Sequence, residues 1–372
     1  MRILFTTQPL SGHFFPLVPL AWACRLAGHE VLVATAENFV SVATRAGLPV
    51  TACGPPADFL AEAFAATRHY SLADRRYAHG QAFARASEQA LPELGKLVDS
   101  WRPDVVVCER AETAGPLVAA AGGIPFAELH WGVAELREYR IAATQVLGAA
   151  GPGNALPVPD WVINPWPPTL RLPYAASHQS IRSIDYNGDT PVPDWALRGE
   201  GPPRVCVTFG TVLPEAYLDD VSGVVRTLLE NLARLGLTVV VAVDEKVVAD
   251  WPRLPTSVSH VGRMPLSEVM RTCVAAVHHG GQGTTLTALA ANLPQLVLPV
   301  FDDQFDNAEA VERSGAGMIL HPQELTAAVI GDRCHRLLST GRYADAATRV
   351  AHEMSVQPAP SEIAAGLARL AA

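Results

Sequence analysis

The chain has 372 residues, long enough for two domains with separate cores. Its 28 Lys and Arg against 37 Asp and Glu give a formal net charge of −9, its pI is near 5.7, and no basic stripe runs along it, which argues against nucleic acid as a partner. Mean hydropathy is +0.16, yet no apolar run approaches the ~20 residues that a membrane span needs.

In chain order, MRILFTTQPLSGH has a short apolar core followed by polar residues and reads as a first strand, not a signal peptide. Strands are predicted at Arg2 to Thr6, Glu30 to Thr35, Asp104 to Cys108 and Pro125 to Leu129, with helices at Leu17 to Ala27, Gln81 to Trp101 and Ala114 to Ala121. This alternation implies βαβ units and a parallel sheet. From Gly151 to Gly201 the pattern degrades into a proline-rich stretch holding Trp161, Trp166 and Trp195, which reads as a long loop running into a linker. The rhythm then restarts, with strands predicted at Arg204 to Phe209, Thr238 to Val243, Ser257 to Val261, Val274 to His278 and Gln295 to Val300, and a last helix from Pro360 to Ala372.

The six cysteines (24, 53, 108, 206, 273, 334) form no CxxC pair and lie in or beside apolar stretches, as reduced buried thiols do. A cytoplasmic location is expected. Neither half carries GxGxxG after its first strand, which disfavours a nicotinamide or flavin enzyme. Two tandem doubly wound halves facing a cleft are the fold expected, with boundaries at 1–195, 196–356 and a terminal segment 357–372.

The run from His278 to Asn307, HHGGQGTTLTALAANLPQLVLPVFDDQFDN, carries the chemistry. Glycines at 280, 281 and 283 remove Cβ atoms where the backbone turns and a ligand approaches. A helix starting near Thr284 offers free N–H groups and a partial positive charge to an anion. His279 adds a donor at its mouth. Asp302, Asp303 and Gln304 follow the next strand, at the sheet edge where open α/β folds bind ligands. An anion cradle beside hydroxyl-binding side chains suits a nucleotide diphosphate carrying a sugar.

These residues resemble the donor signature of nucleotide-sugar glycosyltransferases with two Rossmann-like domains (GT-B), nearest those that decorate bacterial macrolides, enediynes and aromatic polyketides. The likeness rests on His278, His279, Gly280, Gly281, Gly283 and Thr284, then Pro294 and Gln295, then Asp303, Gln304, Asn307 and Ala308. It implies an inverting, metal-independent transfer from a dTDP- or UDP-sugar, often a deoxysugar, to an apolar acceptor, with no cofactor beyond that co-substrate. It also implies that the last helix crosses back onto the first domain.

His13, in GHFFP after the first strand, is the expected general base, since an imidazole titrates near neutrality; a helix cap is its plainer reading. The resemblance places an orienting acid ahead of Gly123-Ile124-Pro125, where this chain has Glu109 in place of the usual aspartate, with Glu112 as the alternative. On the donor side the resemblance assigns His279, Gly280, Gly281, Gln282, Gly283, Thr284 and Thr211 to the diphosphate, and Asp303 and Gln304 to sugar hydroxyls. Many relatives stack a tryptophan on the nucleobase; here the turn reads Arg263-Met264-Pro265, where the Arg263 guanidinium could stack or meet a phosphate and backbone groups of Met264 could read the base edge. Phe14, Phe15, His130, Trp131 and the segment from Phe59 to Phe83 are the expected acceptor wall, with Trp161 and Trp166 as further candidates. No metal cluster is evident. A homodimer stays open, as do two rivals: a sugar-nucleotide epimerase on the same fold, and a non-catalytic nucleotide-sugar-binding auxiliary protein.

Overall fold

Short Val- and Leu-rich runs bounded by glycine and proline make two separate parallel sheets. A computed structural model describes residues 1–59, 67, 69–198, 201–210, 218–244 and 254–371. The first half runs β1 (Arg2–Thr6), α1 (Ser11–Phe14), α2 (Val18–Leu26), β2 (Glu30–Thr35), α3 (Val40–Thr44), β3 (Val50–Ala52), α4 (Leu72–Trp101), β4 (Val105–Glu109), α5 (Ala114–Gly122), β5 (Phe126–Leu129), α6 (Arg137–Leu147), β6 (Trp161–Asn164) and β7 (Gln179–Ser180). The second runs α7 (Asp194–Arg198), β8 (Arg204–Thr208), α8 (Leu218–Arg234), β9 (Thr238–Val241), β10 (Val258–Val261), α9 (Leu266–Met270), β11 (Cys273–His278), α10 (Gln282–Ala290), β12 (Gln295–Val297), α11 (Asp303–Ser314), β13 (Gly317–Ile319), α12 (Ala327–Ser339), α13 (Arg342–Ser355) and α14 (Pro360–Leu370).

The first sheet has the order β3-β2-β1-β4-β5-β6-β7 and the second β10-β9-β8-β11-β12-β13, with every described pairing parallel. Alternate side chains feed the two faces, as the strand period of two requires. Ile3, Phe5, Val105 and Val107 enter one core, while Leu4, Val106 and Cys108 enter another. Strand order reverses between β1 and β4 in one sheet and between β8 and β11 in the other. Ligand crevices open at such reversals, outside the carboxyl ends of the strands. His13 lies in α1 just after β1, Glu109 is the last residue of β4, and the loop after β11 carries the His-Gly-Gly turn.

The C-terminal helix α14 packs on the first half. Its Ile363, Ala364 and Leu367 join the core that contains β1 and α2. Ile363 and Leu367 are almost fully buried, which contributes roughly 3–6 kcal/mol. That outweighs the poor intrinsic stability of so short a helix in water. Any Cβ at Gly366 would run into the Trp161 ring, so this contact needs glycine.

The structure departs from the sequence reading in several places. The stretch after Gly151 is not only loop: β6 and β7 extend the first sheet within it. Trp161 packs beside the first core and against α14, and Trp166 is fully buried in a core shared by both halves, so neither lines an acceptor cleft. Helix α4 begins at Leu72, not Gln81, because Ser71 caps it by accepting from the Asp74 N–H at 3.2 Å. Strands β3 and β13 and helix α6 were also missed. All six cysteines are unpaired. Among the described residues, no helix is long and apolar enough to cross a membrane.

Candidate active site

His13 sits in the short helix α1, directly after β1, and is buried. Its Nδ1 lies 3.0 Å from Glu109 Oε1 at the end of β4. A carboxylate only accepts, so Nδ1 carries the proton and Nε2 is left as the basic nitrogen. The imidazole is walled by Trp131 at 4.5 Å and Phe83 at 5.2 Å between ring centroids.

Glu109 is fully buried and accepts three more hydrogen bonds. They come from the Gln8 N–H (3.2 Å), the Ala111 N–H (2.8 Å) and the Trp131 indole (2.6 Å). Burial pushes its carboxyl up, but the charge and hydrogen bond of His13, with the Ala111 and Trp131 donors, outweigh burial and hold it below the usual range. Gln8 is a site residue that the sequence reading missed. Its side-chain amide donates to the Phe83 and Ala111 carbonyls and to Ser87, locking the loop after β1 onto α4.

Glu112 does not reach His13. It accepts from the Thr6 hydroxyl and from the N–H groups of Ala114 (2.8 Å) and Gly115 (2.9 Å), at the start of α5. Burial pushes it up to about 7. Its position is that of a helix-start ligand, and the acid on His13 is Glu109.

Across the cleft, the glycines after β11 have separate duties. Gly280 adopts φ 91°, and a Cβ there would lie 3.0 Å from the Gln304 carbonyl. The His279 ring lies between Gly210 and Gly281, where a Cβ would come within 2.7 and 2.5 Å of it. A Cβ at Gly283 would meet nothing, so that residue borders open space in the first turn of α10. No side chain caps this helix, and its first N–H groups stay available to an anion. Thr284 is buried in the same turn.

Burial pushes His279 down to about 3, with His278 adding to the effect. It is therefore neutral at pH 7, a donor rather than a charge. Its Nδ1 is buried with no hydrogen-bond partner among the described residues. His278 is structural: it accepts from the Gly280 N–H at 3.0 Å through Nδ1 and lies 2.7 Å from Gln295 Oε1 through Nε2.

Gln282 was expected on the donor, but its Oε1 accepts from the Gly132 N–H (2.7 Å) and the Trp166 indole (2.6 Å) and so joins the two halves. Asn307 does the same work. It accepts from the Val133 N–H (2.8 Å) and donates to the Gly280 carbonyl (2.9 Å) and to Asp303 (2.7 Å). Asp303 faces Gly132, where a Cβ would sit 2.8 Å from its carboxylate. Burial, then the charge of Asp302, pushes Asp303 up to about 6, while His13 pulls it the other way. Base candidate and sugar-grip candidate thus lie within electrostatic reach of each other. Gln304 Oε1 accepts from Val300 and Phe301 in its own loop, which leaves only its NH2 for a ligand.

Other expected residues lie elsewhere. Phe14 has no exposed surface and belongs to the first core, so it is not acceptor wall. Phe15 packs edge-on against Tyr186 of the connecting segment, at 5.0 Å. His130 is buried, lies 2.6 Å from Glu128 and stacks edge-on against His178. Trp131 is beside His13, but its indole N–H is used by Glu109. Arg263 is exposed and Met264 partly buried, in the loop between β10 and α9. Thr211 lies outside the described residues.

The chain matches two family models. The N-terminal domain of erythromycin biosynthesis protein CIII-like proteins matches residues 22–210, and their C-terminal domain matches residues 226–370. It is 39% identical to the L-demethylnoviosyl transferase of Streptomyces niveus, over 99% of this chain and 98% of that one. It is 35% identical to the elloramycin glycosyltransferase of Streptomyces olivaceus, over 99% and 97%. Among solved structures it is similar to the Streptomyces sp. SF2575 glycosyltransferase SsfS6 with thymidine diphosphate (TM-score 0.85, 33% identity, 99% of each chain). It is also similar to the spinosyn rhamnosyltransferase SpnG with thymidine diphosphate (TM-score 0.87, 28% identity, 99% of this chain and 100% of that one).

Proposed function

The chain belongs to the erythromycin biosynthesis protein CIII-like family and is a glycosyltransferase of the GT-B fold, and on that premise we propose that it transfers a deoxysugar from thymidine diphosphate to a hydroxyl of an apolar natural product, with inversion and with His13 as base. The observation that carries this reading is the buried His13–Glu109 pair, 3.0 Å apart, in the first half, opposite Asp303 and the uncapped start of α10 in the second.

The chemistry follows from that arrangement. The acceptor oxygen attacks the anomeric carbon as His13 Nε2 takes its proton. The bond from the anomeric carbon to the diphosphate breaks, and the diphosphate leaves with the electron pair. One displacement inverts the centre. Glu109 holds the imidazole in the needed tautomer and stabilises the imidazolium that forms. The N–H groups from Gly281 to Thr284 and neutral His279 meet the growing diphosphate charge, in place of a metal ion; the Thr285 N–H already donates to the Gly281 carbonyl. Asp303 and the NH2 of Gln304 hold sugar hydroxyls.

A thymidine diphosphate donor is supported by two similar proteins solved with that nucleotide. The natural-product acceptor is supported by the relatives' names. A pure nucleotide-sugar binder would need no oriented base facing the donor. The test is His13→Ala: transfer should fall roughly 10²–10⁴-fold, with thymidine diphosphate affinity kept. Near-normal turnover would end the assignment.

A further inference from the structure

Asp302 immediately precedes the proposed sugar-binding pair, and its carboxylate is buried. It is 2% exposed, with its backbone at φ 48° and ψ −121°, a conformation that side chains other than glycine rarely adopt. Two donors from the opposite half converge on one oxygen. His79 Nδ1 on α4 lies 2.6 Å from Asp302 Oδ2, and the Tyr139 hydroxyl on α6 lies 2.6 Å from the same atom. His79 is held in turn by the Thr67 hydroxyl, 2.8 Å from its Nε2. The convergence depends on Gly80, where a Cβ would come within 2.7 Å of Tyr139 Cα, so only glycine lets α4 approach α6 this closely.

The same helix grips the backbone of the turn. Arg75 donates to the Val300 carbonyl at 2.9 Å, and Arg76 donates to the Asp302 carbonyl at 2.7 Å and to the Asp306 carboxylate. The turn from 300 to 304 is therefore shaped from the first half, although its sequence belongs to the second. The proposed diphosphate cradle differs. It is made by the second half's own backbone at the start of α10.

We propose that His79 and Tyr139 are positioning residues of the donor site, which hold Asp302 and through it set the turn that presents Asp303 and Gln304 to the sugar. This rests on reading Asp303 and Gln304 as the sugar-binding pair. The sugar grip then exists only while the two halves are engaged, whereas a bare nucleoside diphosphate needs the second half alone. The first half so decides how well the sugar is held without touching it.

The test is calorimetric affinity for thymidine diphosphate and for thymidine diphosphate-rhamnose, in wild type, Tyr139→Phe, His79→Ala, His79→Asn and Asp303→Ala. Losing one hydrogen bond to a charged group weakens an interaction roughly ten- to a hundredfold. Tyr139→Phe and His79→Ala should weaken the nucleotide sugar by about tenfold and leave thymidine diphosphate within about twofold. His79→Asn should recover most of the loss, because its amide nitrogen stands where Nδ1 stands. Equal weakening of both ligands, a purely structural effect, overturns the proposal. So does unchanged binding in Tyr139→Phe while Asp303→Ala loses the sugar selectively. If Asp303→Ala leaves both affinities unchanged, the sugar-pair reading itself fails, and the positioning role falls with it.

Discussion

Glu109→Gln is the most informative single change, because it keeps the shape of the side chain and reverses one of its polar ends. The carboxylate now accepts at both oxygens. Oε2 takes the Ala111 N–H and the Trp131 indole, and Oε1 takes the Gln8 N–H and His13. A glutamine has one acceptor and one donor end. Its oxygen is best left at the Oε2 position, where two good donors at 2.8 and 2.6 Å would otherwise be orphaned. Its NH2 then faces His13, which answers by presenting Nδ1 as the acceptor. The proton moves to Nε2, and the base is gone from the side that faces the acceptor.

The magnitude has a floor and a ceiling. Loss of a hydrogen bond to a charged group, at about 1.5–3 kcal/mol, sets a floor near tenfold. Holding the wrong tautomer in an otherwise intact site costs about 10⁴-fold in the hydrolase triads that use the same logic. We expect kcat to fall by roughly 10- to 10⁴-fold, with thymidine diphosphate affinity unchanged because Glu109 lies in the other half. The assay is turnover of a working donor and acceptor, with calorimetric nucleotide binding as the control. A loss of less than about threefold, well under the floor, would refute the argument that Glu109 sets the tautomer of His13.

Dialysis against chelator should leave turnover unchanged, since backbone N–H groups and His279 are assigned to the diphosphate; strict dependence on added magnesium would reject that assignment. His279→Ala should weaken thymidine diphosphate and its sugar conjugates alike by calorimetry, about tenfold for one lost donor to a charged group; selective loss of the conjugate would move His279 to the sugar. Glu112→Gln should barely change the rate and should flatten the pH dependence of stability. Its folded value near 7 lies above the ordinary 4.5, so between those two pH values the folded state binds more protons than the unfolded one and stability falls as pH rises. That fall is worth about 3 kcal/mol, and denaturant melts at pH 5 and 8 that show no gain for the variant at pH 8 would contradict it.

The strands that carry the site were legible because each is a short apolar run closed by a turn residue, and a parallel sheet buries both faces of such runs. β4, with Val105, Val106 and Val107 ending in Glu109, is the clearest case. β7 was illegible, since two partly buried residues have no period to read. The first turns of α4 were missed because Asp74, Arg75 and Arg76 look like solvated charge, while the two arginines are bonded to the other half. Phe14 and Trp166 misled for the opposite reason. An aromatic beside a motif looks the same in sequence whether it faces a ligand or a core, and only the packing separates the two. Glu109 and Glu112 illustrate the limit again. Three residues apart, at the end of β4 and in the turn after it, they are told apart only by direction, one toward His13 and one toward the start of α5.

The residues that sequence order hid are those that work across the two halves. Gln282 and Asn307 lie inside the donor signature, yet each gives its side-chain oxygen to a backbone N–H of the segment after β5, at Gly132 and Val133. Buried backbone donors at such a junction must be satisfied, and a lost partner costs about 1–3 kcal/mol each. Part of what makes the signature recognisable is thus the need to close the two halves on each other, not contact with the donor. A substitution at Gln282 or Asn307 would therefore act on the closed arrangement first. Its kinetic effect would reach sugar and acceptor together, because Asp303 and His13 are brought within reach of each other only when Gly132 lies against the start of α11.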